Sequence, residues 1–516
     1  MDVRSDAFVS ARENAELAHE SLVRSHDFTS AWLKYRDPVS GLIPSNLDGK
    51  IDLWEPHNAA ADNYAFMVLT AYLLDKELYE GPLTDMLNSE RKLTSRVGYL
   101  PDTWSFSRQN FNTETIDTFQ LIFGTSEYIK DGLLPLSEYI GDSPWQDRLI
   151  EMLDDLSGQF AVLRDPEESG SYRSAMDEVN GEMLQTLSRI FWMTGDKKYL
   201  EWAVQIGDYY LLGDRDLSSI EYLRLRDHGC EVIGGLSELY LALHYSDPGK
   251  KEEYREGIYR LLDRILEVGR NEDGLFYNVV NTKTGEIVNS GIADTWGYTY
   301  NAYYTVYLVD EKEEYRQAFL DCIGNLNKKY RNYDWEHGSH DGYADAIESG
   351  INLYNREPET ELKEWIDSEI HVMWDMQQEN GIIEGWHGDG NFARTAIMHA
   401  LWKTQGVHSR PWNRYIRIGS EMDDNKLCII VSSENDYSGK IQFDYPRHRQ
   451  HMQLPVDYPR INQFPEWFTV EKDAKYKMFS TVPELNGSFT GKQLVDGLQL
   501  EMNAADTCYL TLKPVD

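Results

Sequence analysis

One recurrence constrains this chain more than any other feature. Seven times, a cluster of Asp, Glu, His, Asn or Trp runs straight into a largely apolar helical stretch, near Ala61, Thr113, Met176, Asp227, Asp294, His340 and Asp389. The fourth instance, residues 226–244 (RDHGCEVIGGLSELYLALH), shows the pattern plainly. Asp227 and His228 open it, Glu231 follows one turn on, and an apolar run containing Gly234-Gly235 completes it. A titratable start on a buried helix is costly unless it faces a cavity or a partner. The starts recur at roughly 45–65 residues, at or just above the period of helical-hairpin repeats.

Between the starts lie helices with one apolar face, at residues 11–35, 145–163, 198–212, 250–268, 312–330 and 361–378, with another around 83–92. Three connectors share a plan of polar residues, Gly, then apolar residues: DPVSGLIP (37–44), NEDGLFYN (271–278) and QENGIIEG (378–385). Each predicts a turn into a short strand. One-faced helices outside and apolar helices inside can close into a ring. The expected fold is mainly α: an (α/α) toroid of six or seven helical hairpins, seven by this count, over residues 8–408. After Pro411 the pattern changes to short, β-branched segments: RYIRIGSEM, KLCIIVSSE, KIQFDYP, WFTVEK, GSFTG, LQLEMNA and CYLTLKPV. They predict a small antiparallel β-sandwich over residues 413–516. The join, HSRPWNRY, holds no flexible linker, so tight packing of the two parts is expected.

Parallel inner helices would bring the polar starts to one rim. Asp at a helix start is most often an N-cap. A cap does not need His, Trp and a second acid one turn further in, and these clusters have them. Carboxylates, imidazoles and aromatic rings together suit a sugar pocket, where rings stack on pyranose faces and carboxyl groups move the proton. Glu178, Glu231 and Asp294 are the candidate catalytic carboxylates, and His228, three residues before Glu231 on one helix face, is a candidate orienter. His57, Asp62, Asn63, Trp296, Tyr298, Tyr300, His340, Asp341 and Trp386 are candidate substrate contacts, and Arg394 a candidate partner for a substrate carboxylate.

The rest of the composition excludes more than it selects. A formal net charge of −37 repels phosphate backbones and anionic lipid, so neither nucleic acid nor membrane is an expected partner. Four scattered cysteines form no CxxC pair and there is no HExxH, so no metal and no cofactor are expected. No run is long enough to span a membrane, and the N-terminus lacks a signal-peptide core. The expected location is the cytoplasm, or the periplasm or exterior if a signal peptide has been removed.

Helices alternating around an acidic, aromatic rim and followed by a β unit resemble the (α/α)-toroid carbohydrate-active enzymes. The organisation is similar to unsaturated glucuronyl hydrolases and toroidal β-glucuronidases, and also to toroidal polysaccharide lyases and a uronyl oligosaccharide dehydratase. The resemblance is architectural, covers about residues 8–408, and carries over no catalytic residue. It implies an exo-acting glycoside hydrolase using carboxylate acid/base catalysis on uronic-acid-containing, hence anionic, oligosaccharides. The alternative is β-elimination by a lyase or dehydratase with His or Tyr as base and acid. A third reading is a non-catalytic glycan-binding helical repeat.

Overall fold

In the computed structural model, which describes residues 2–158, 171–213 and 215–515, seven inner helices close into a ring. In chain order they are Ala65–Leu74 with the wide-turned helix Pro56–Tyr64 before it, Thr118–Glu127 continuing through Tyr128–Leu133 to Leu134–Ile140, Ser171–Thr194, Glu231–Ser246, Trp296–Asp310, His340–Arg356 and Asn391–Thr404. Each packs on the next, and the last packs back on the first. Outside them run Asp6–Trp32, Thr84–Leu93, Pro144–Ser157, Lys197–Leu211, Pro248–Val268, Glu313–Lys329 and Thr360–Asp375. The part of the 145–163 helix beyond Gly158 lies outside the described residues.

Sequence explains the layering. Residues 231–243 of the fourth inner helix are buried on every side, and each of its large apolar side chains contributes roughly 1.5–3 kcal/mol. A Cβ on Gly235 would stand 2.6 Å from the Gly181 carbonyl oxygen, so the third and fourth inner helices meet backbone to backbone there. Outer helices begin on side-chain caps, Ser143, Asp196 and Asp247, each accepting a backbone N–H. In the three look-alike connectors, Gly41, Gly274 and Gly381 have φ of +75°, +89° and +91°, which only glycine adopts without strain. The middle connector does lead into a strand, Tyr277–Val280; the first does not, and the third makes only an isolated bridge, Glu384 to Gly388.

The C-terminal part forms two antiparallel sheets. One has five strands in the order Ile416–Asp423, Lys426–Ser433, Thr507–Pro514, Lys475–Ser480, Gly487–Thr490; the other has Leu498–Met502, Tyr437–Gln442 and His408–Arg410. Ile418, Leu427 and Ile429 of the first share a core with Ile441 and Leu500 of the second. The segment WFTVEK is not a strand: Trp467 stacks on Trp402 of the ring at 5.8 Å, Thr469 makes only an isolated bridge to Asp444, and Val470 joins the core that the two sheets share. It belongs to a long connection, residues 443–474, that enters the ring from the end opposite the polar rim. There Tyr458 donates to Glu238 at 2.8 Å, Arg460 bonds Glu138, and Arg189 bridges Glu238 and Glu138. No helix among the described residues is long and apolar enough to cross a membrane.

Candidate active site

The N-terminal ends of the inner helices surround a cavity of about 840 Å³, and every inner helix or the turn before it contributes to its wall. The long connection closes its floor with Ile461 and Asn462. Asn462 donates to Asp131 at 2.6 Å, accepts from Arg394 at 2.8 Å, and offers its backbone N–H to Glu348 at 2.6 Å.

Of the residues singled out from the sequence, Glu178, His228, Glu231, His57, Asp62, Tyr298, Asp341, Trp386 and Arg394 line this cavity. Asn63, Asp294, Trp296 and Tyr300 do not. Successive helical residues turn by about 100°, so Tyr298 points inward while Trp296 and Tyr300 point to the outer layer. Trp296 packs edge-on against Trp365, and the Tyr300 hydroxyl donates to the Gly274 carbonyl. Asp294 sits behind the wall, where burial raises its carboxyl to about 8. Asn63 is fully buried beneath Gly388. His340 faces a side chamber and binds Asp389 at 2.5 Å.

Two walls differ in character. On the first, Glu231 is an anchor: it accepts from Lys130 at 2.5 Å and from Gln185, and Lys130 also binds Asp131 at 2.7 Å. Burial would lower the Lys130 pKa, but the two carboxylates hold it above the usual value. Beside this anchor, oxygens of Glu127, Glu178 and Glu182 and a ring nitrogen of His228 all lie within 4.8 Å of one another. Burial pushes the pKa of each glutamate up. Burial alone would lower His228, but Glu178 and Glu127 override it and hold its pKa well above normal. No metal was expected because the sequence shows neither a CxxC pair nor HExxH; the fold brings Glu127 beside Glu178, Glu182 and His228 from a neighbouring helix. A second group of ligand-type residues, His448, Asp457 and Glu466, is already paired, with Asp457 held by Arg356 and Arg460.

On the second wall, Asp341 and Asp345 lie one turn apart on the helix His340–Arg356, on the same face. Among the described residues Asp341 accepts one side-chain hydrogen bond, from the Asn391 amide at 2.8 Å; burial, then the Asp389 and Asp345 charges, push its pKa well above normal. Asp345 accepts from Arg394 at 2.7 Å and from the Tyr298 hydroxyl at 3.0 Å. Burial raises it to about 6 although Arg394 pulls the other way. Arg394 is not an open anchor for a substrate carboxylate. Its guanidinium is held by Asp345, Glu348, Asn391 and Asn462, so it neutralises protein acids instead.

The second cluster was misplaced by sequence. Glu114 and Asp117 lie exposed before their helix, with Asp117 serving as its cap. The cavity groups from that helix are Glu127 and Asp131, set inside an apolar run, and three buried charges in five residues of such a run (EYIKD) were the available signal. Arg224, Arg226, Glu336 and His337 also line the cavity, from turns before the inner helices.

No family model matches the chain, and no curated protein does. Among solved structures it is similar to a family 76 α-1,6-mannanase from Salegentibacter sp. HEL1_6, at 12% identity and TM-score 0.39 over 75% of this chain and 98% of that one. It is also similar to a family 127 β-L-arabinofuranosidase from Geobacillus stearothermophilus T6, at 11% identity and TM-score 0.38 over 76% and 72% of the two chains. A third similar structure is cellobiose 2-epimerase from Bacillus thermoamylovorans B4167, at 13% identity and TM-score 0.37 over 54% and 86%. All three are (α/α)-toroid carbohydrate-active enzymes.

Proposed function

We propose that this chain hydrolyses a glycosidic bond at the end of an oligosaccharide, with Asp341 as general acid and Asp345 as the ionised partner. The observation that carries the reading is the contrast within that pair. Asp341 has one amide donor and carboxylates on both sides, so it keeps its proton. Asp345, one turn away, has a guanidinium and a phenol donor, so it is the group that ionises. Environments that push two carboxyls apart are what assign acid and base in such sites. The catalytic unit is then residues 8–408, and the β unit of residues 413–516 completes it by closing the floor. A floor closed by Asn462 supports action at a chain end, because a polymer cannot thread through.

The lining bears on the sugar. Nine acids and three arginines face the cavity among the described residues. Arg394 is saturated, Arg224 is bound to Asp227 and Glu178, and the His228 imidazole is already surrounded by Glu178, Glu127 and Glu231, so Arg226 is the one lining arginine left to meet a uronate. This balance supports a neutral sugar over a uronic acid. Elimination is also less well supported. Tyr298 donates to Asp345 and Glu348, and burial holds its pKa well above normal, which makes it a poor base.

The test is release of an aryl alcohol from a panel of neutral and uronic aryl glycosides, read together with absorbance of an unsaturated product. Hydrolysis without that absorbance is expected; an unsaturated product would overturn the reading in favour of elimination. The pH dependence has a defined sign. Asp345 must be charged, so kcat/KM falls as pH drops through about 6. Asp341 must be protonated, so the rate falls again at higher pH, giving a bell. A profile that stayed flat from pH 5 to pH 7 would contradict the assignment.

Trp386 is 87% exposed at the mouth shared by the cavity and the side chamber. A bare indole there serves as a stacking platform for a sugar ring. Trp386→Ala is expected to raise KM about 3–10-fold with little change in kcat, measured by steady-state kinetics on an oligosaccharide.

A further inference from the structure

We propose that Glu127, Glu178, Glu182 and His228 form a binding site for one divalent cation, Mn2+ or Zn2+, at the base of the first wall. The site goes beyond the acid/base pair, which lies on the other wall. Three carboxylates and an imidazole come from three separate helical segments, and their ligand atoms all lie within 4.8 Å of one another. Donors at about 2.1 Å from a common ion are at most about 4.2 Å apart, so a few tenths of an ångström of closure completes the shell.

The independent observation is Glu182. It is fully buried in the third inner helix, and neither carboxylate oxygen has a hydrogen-bond partner among the described residues. A buried carboxyl is ordinarily paired, metal-bound or protonated, and even the protonated form needs a hydrogen-bond partner that Glu182 does not have among the described residues. The nearby cations are already engaged: Lys130 is held by Glu231 and Asp131, and Arg224 by Asp227, reaching Glu178 only at 3.4 Å. Among the described residues His228 Nδ1 likewise has no hydrogen-bond partner, with Glu231 no nearer than 3.9 Å.

The donor set selects the ion. An imidazole beside carboxylates suits Mn2+ or Zn2+, whereas Ca2+ takes oxygen donors alone. Glu127, Glu178 and His228 also face the cavity while Glu182 lies behind them. The ion would therefore keep one side open, able to take a pair of sugar hydroxyls.

The test is calorimetric titration of the full chain, first stripped with EDTA, with Mn2+, Zn2+ or Ca2+ alone. One Mn2+ or Zn2+ per chain is expected, with a rise in Tm. Glu182→Gln is expected to weaken that binding at least about 10-fold, with circular dichroism confirming the fold. Should that variant not fold, Glu127→Gln is read the same way. Asp341→Asn is expected to lose hydrolysis and keep the ion affinity, so the two readings fail separately. Three results would overturn the proposal: no saturable site for Mn2+ or Zn2+ up to about 1 mM, saturation by Ca2+ alone, or binding unchanged in Glu182→Gln, which would mean loose attraction to a chain of net charge −37.

Discussion

Asp341→Asn lowers kcat for hydrolysis of an alkyl or sugar-linked glycoside by about 10²–10⁴-fold, the range expected when a positioned general acid is removed. KM changes little, because the amide fills the same volume and keeps an oxygen for the Asn391 donor. Folding is not harmed. Asp341 is half-buried in the cavity wall beside Asp389 and Asp345, and burial, then those charges, keep its proton on. An uncharged amide at that place removes a repulsion that grows with pH, so Tm at pH 8 is expected to match or exceed the parent. A loss of activity accompanied by a loss of Tm would instead mark a structural role.

Lys130→Met is the largest expected loss of stability. The Lys130 side chain is fully buried and neutralises Glu231 and Asp131, both nearly as buried. Breaking a buried pair by removing one partner costs about 3–5 kcal/mol, because a charge is left without compensation. Urea unfolding at pH 7 measures it. Adding Glu231→Gln is expected to recover part of the loss, since one stranded carboxylate is gone. Asp131 keeps the Asn462 amide at 2.6 Å but has lost its cation, so recovery is not complete. A single variant with unchanged midpoint would contradict this account of the anchor.

The ring was legible because its signals are local. Apolar runs with a titratable start mark the inner helices, a single apolar face marks the outer ones, and the glycine of each look-alike connector sits at a φ near +75° to +91°. The side-chain directions were less legible. Trp296 and Tyr300 were read as cavity residues because they share a cluster with Tyr298, but 100° per residue turns them outward. The second inner helix begins at Thr118 and runs on through wide turns over Tyr128–Leu133, and its acidic cavity groups, Glu127 and Asp131, fall well after its start. Arg394 lines the cavity, and its partners Asp345 and Glu348 lie on the neighbouring inner helix, with no sequence signal linking them. Asn462 was beyond reach for a related reason: a connection between two strands of the β unit returns to the floor of a cavity built by residues far earlier in the chain.

The most direct measurement is the leaving-group dependence of Asp341→Asn. A general acid matters only when the departing oxygen needs a proton. The variant is expected to lose about 10²–10⁴-fold on a methyl or sugar leaving group and far less on a 2,4-dinitrophenyl glycoside of the same sugar, whose phenolate departs unaided. Equal losses on both substrates, or no loss on either, would contradict Asp341 as the acid.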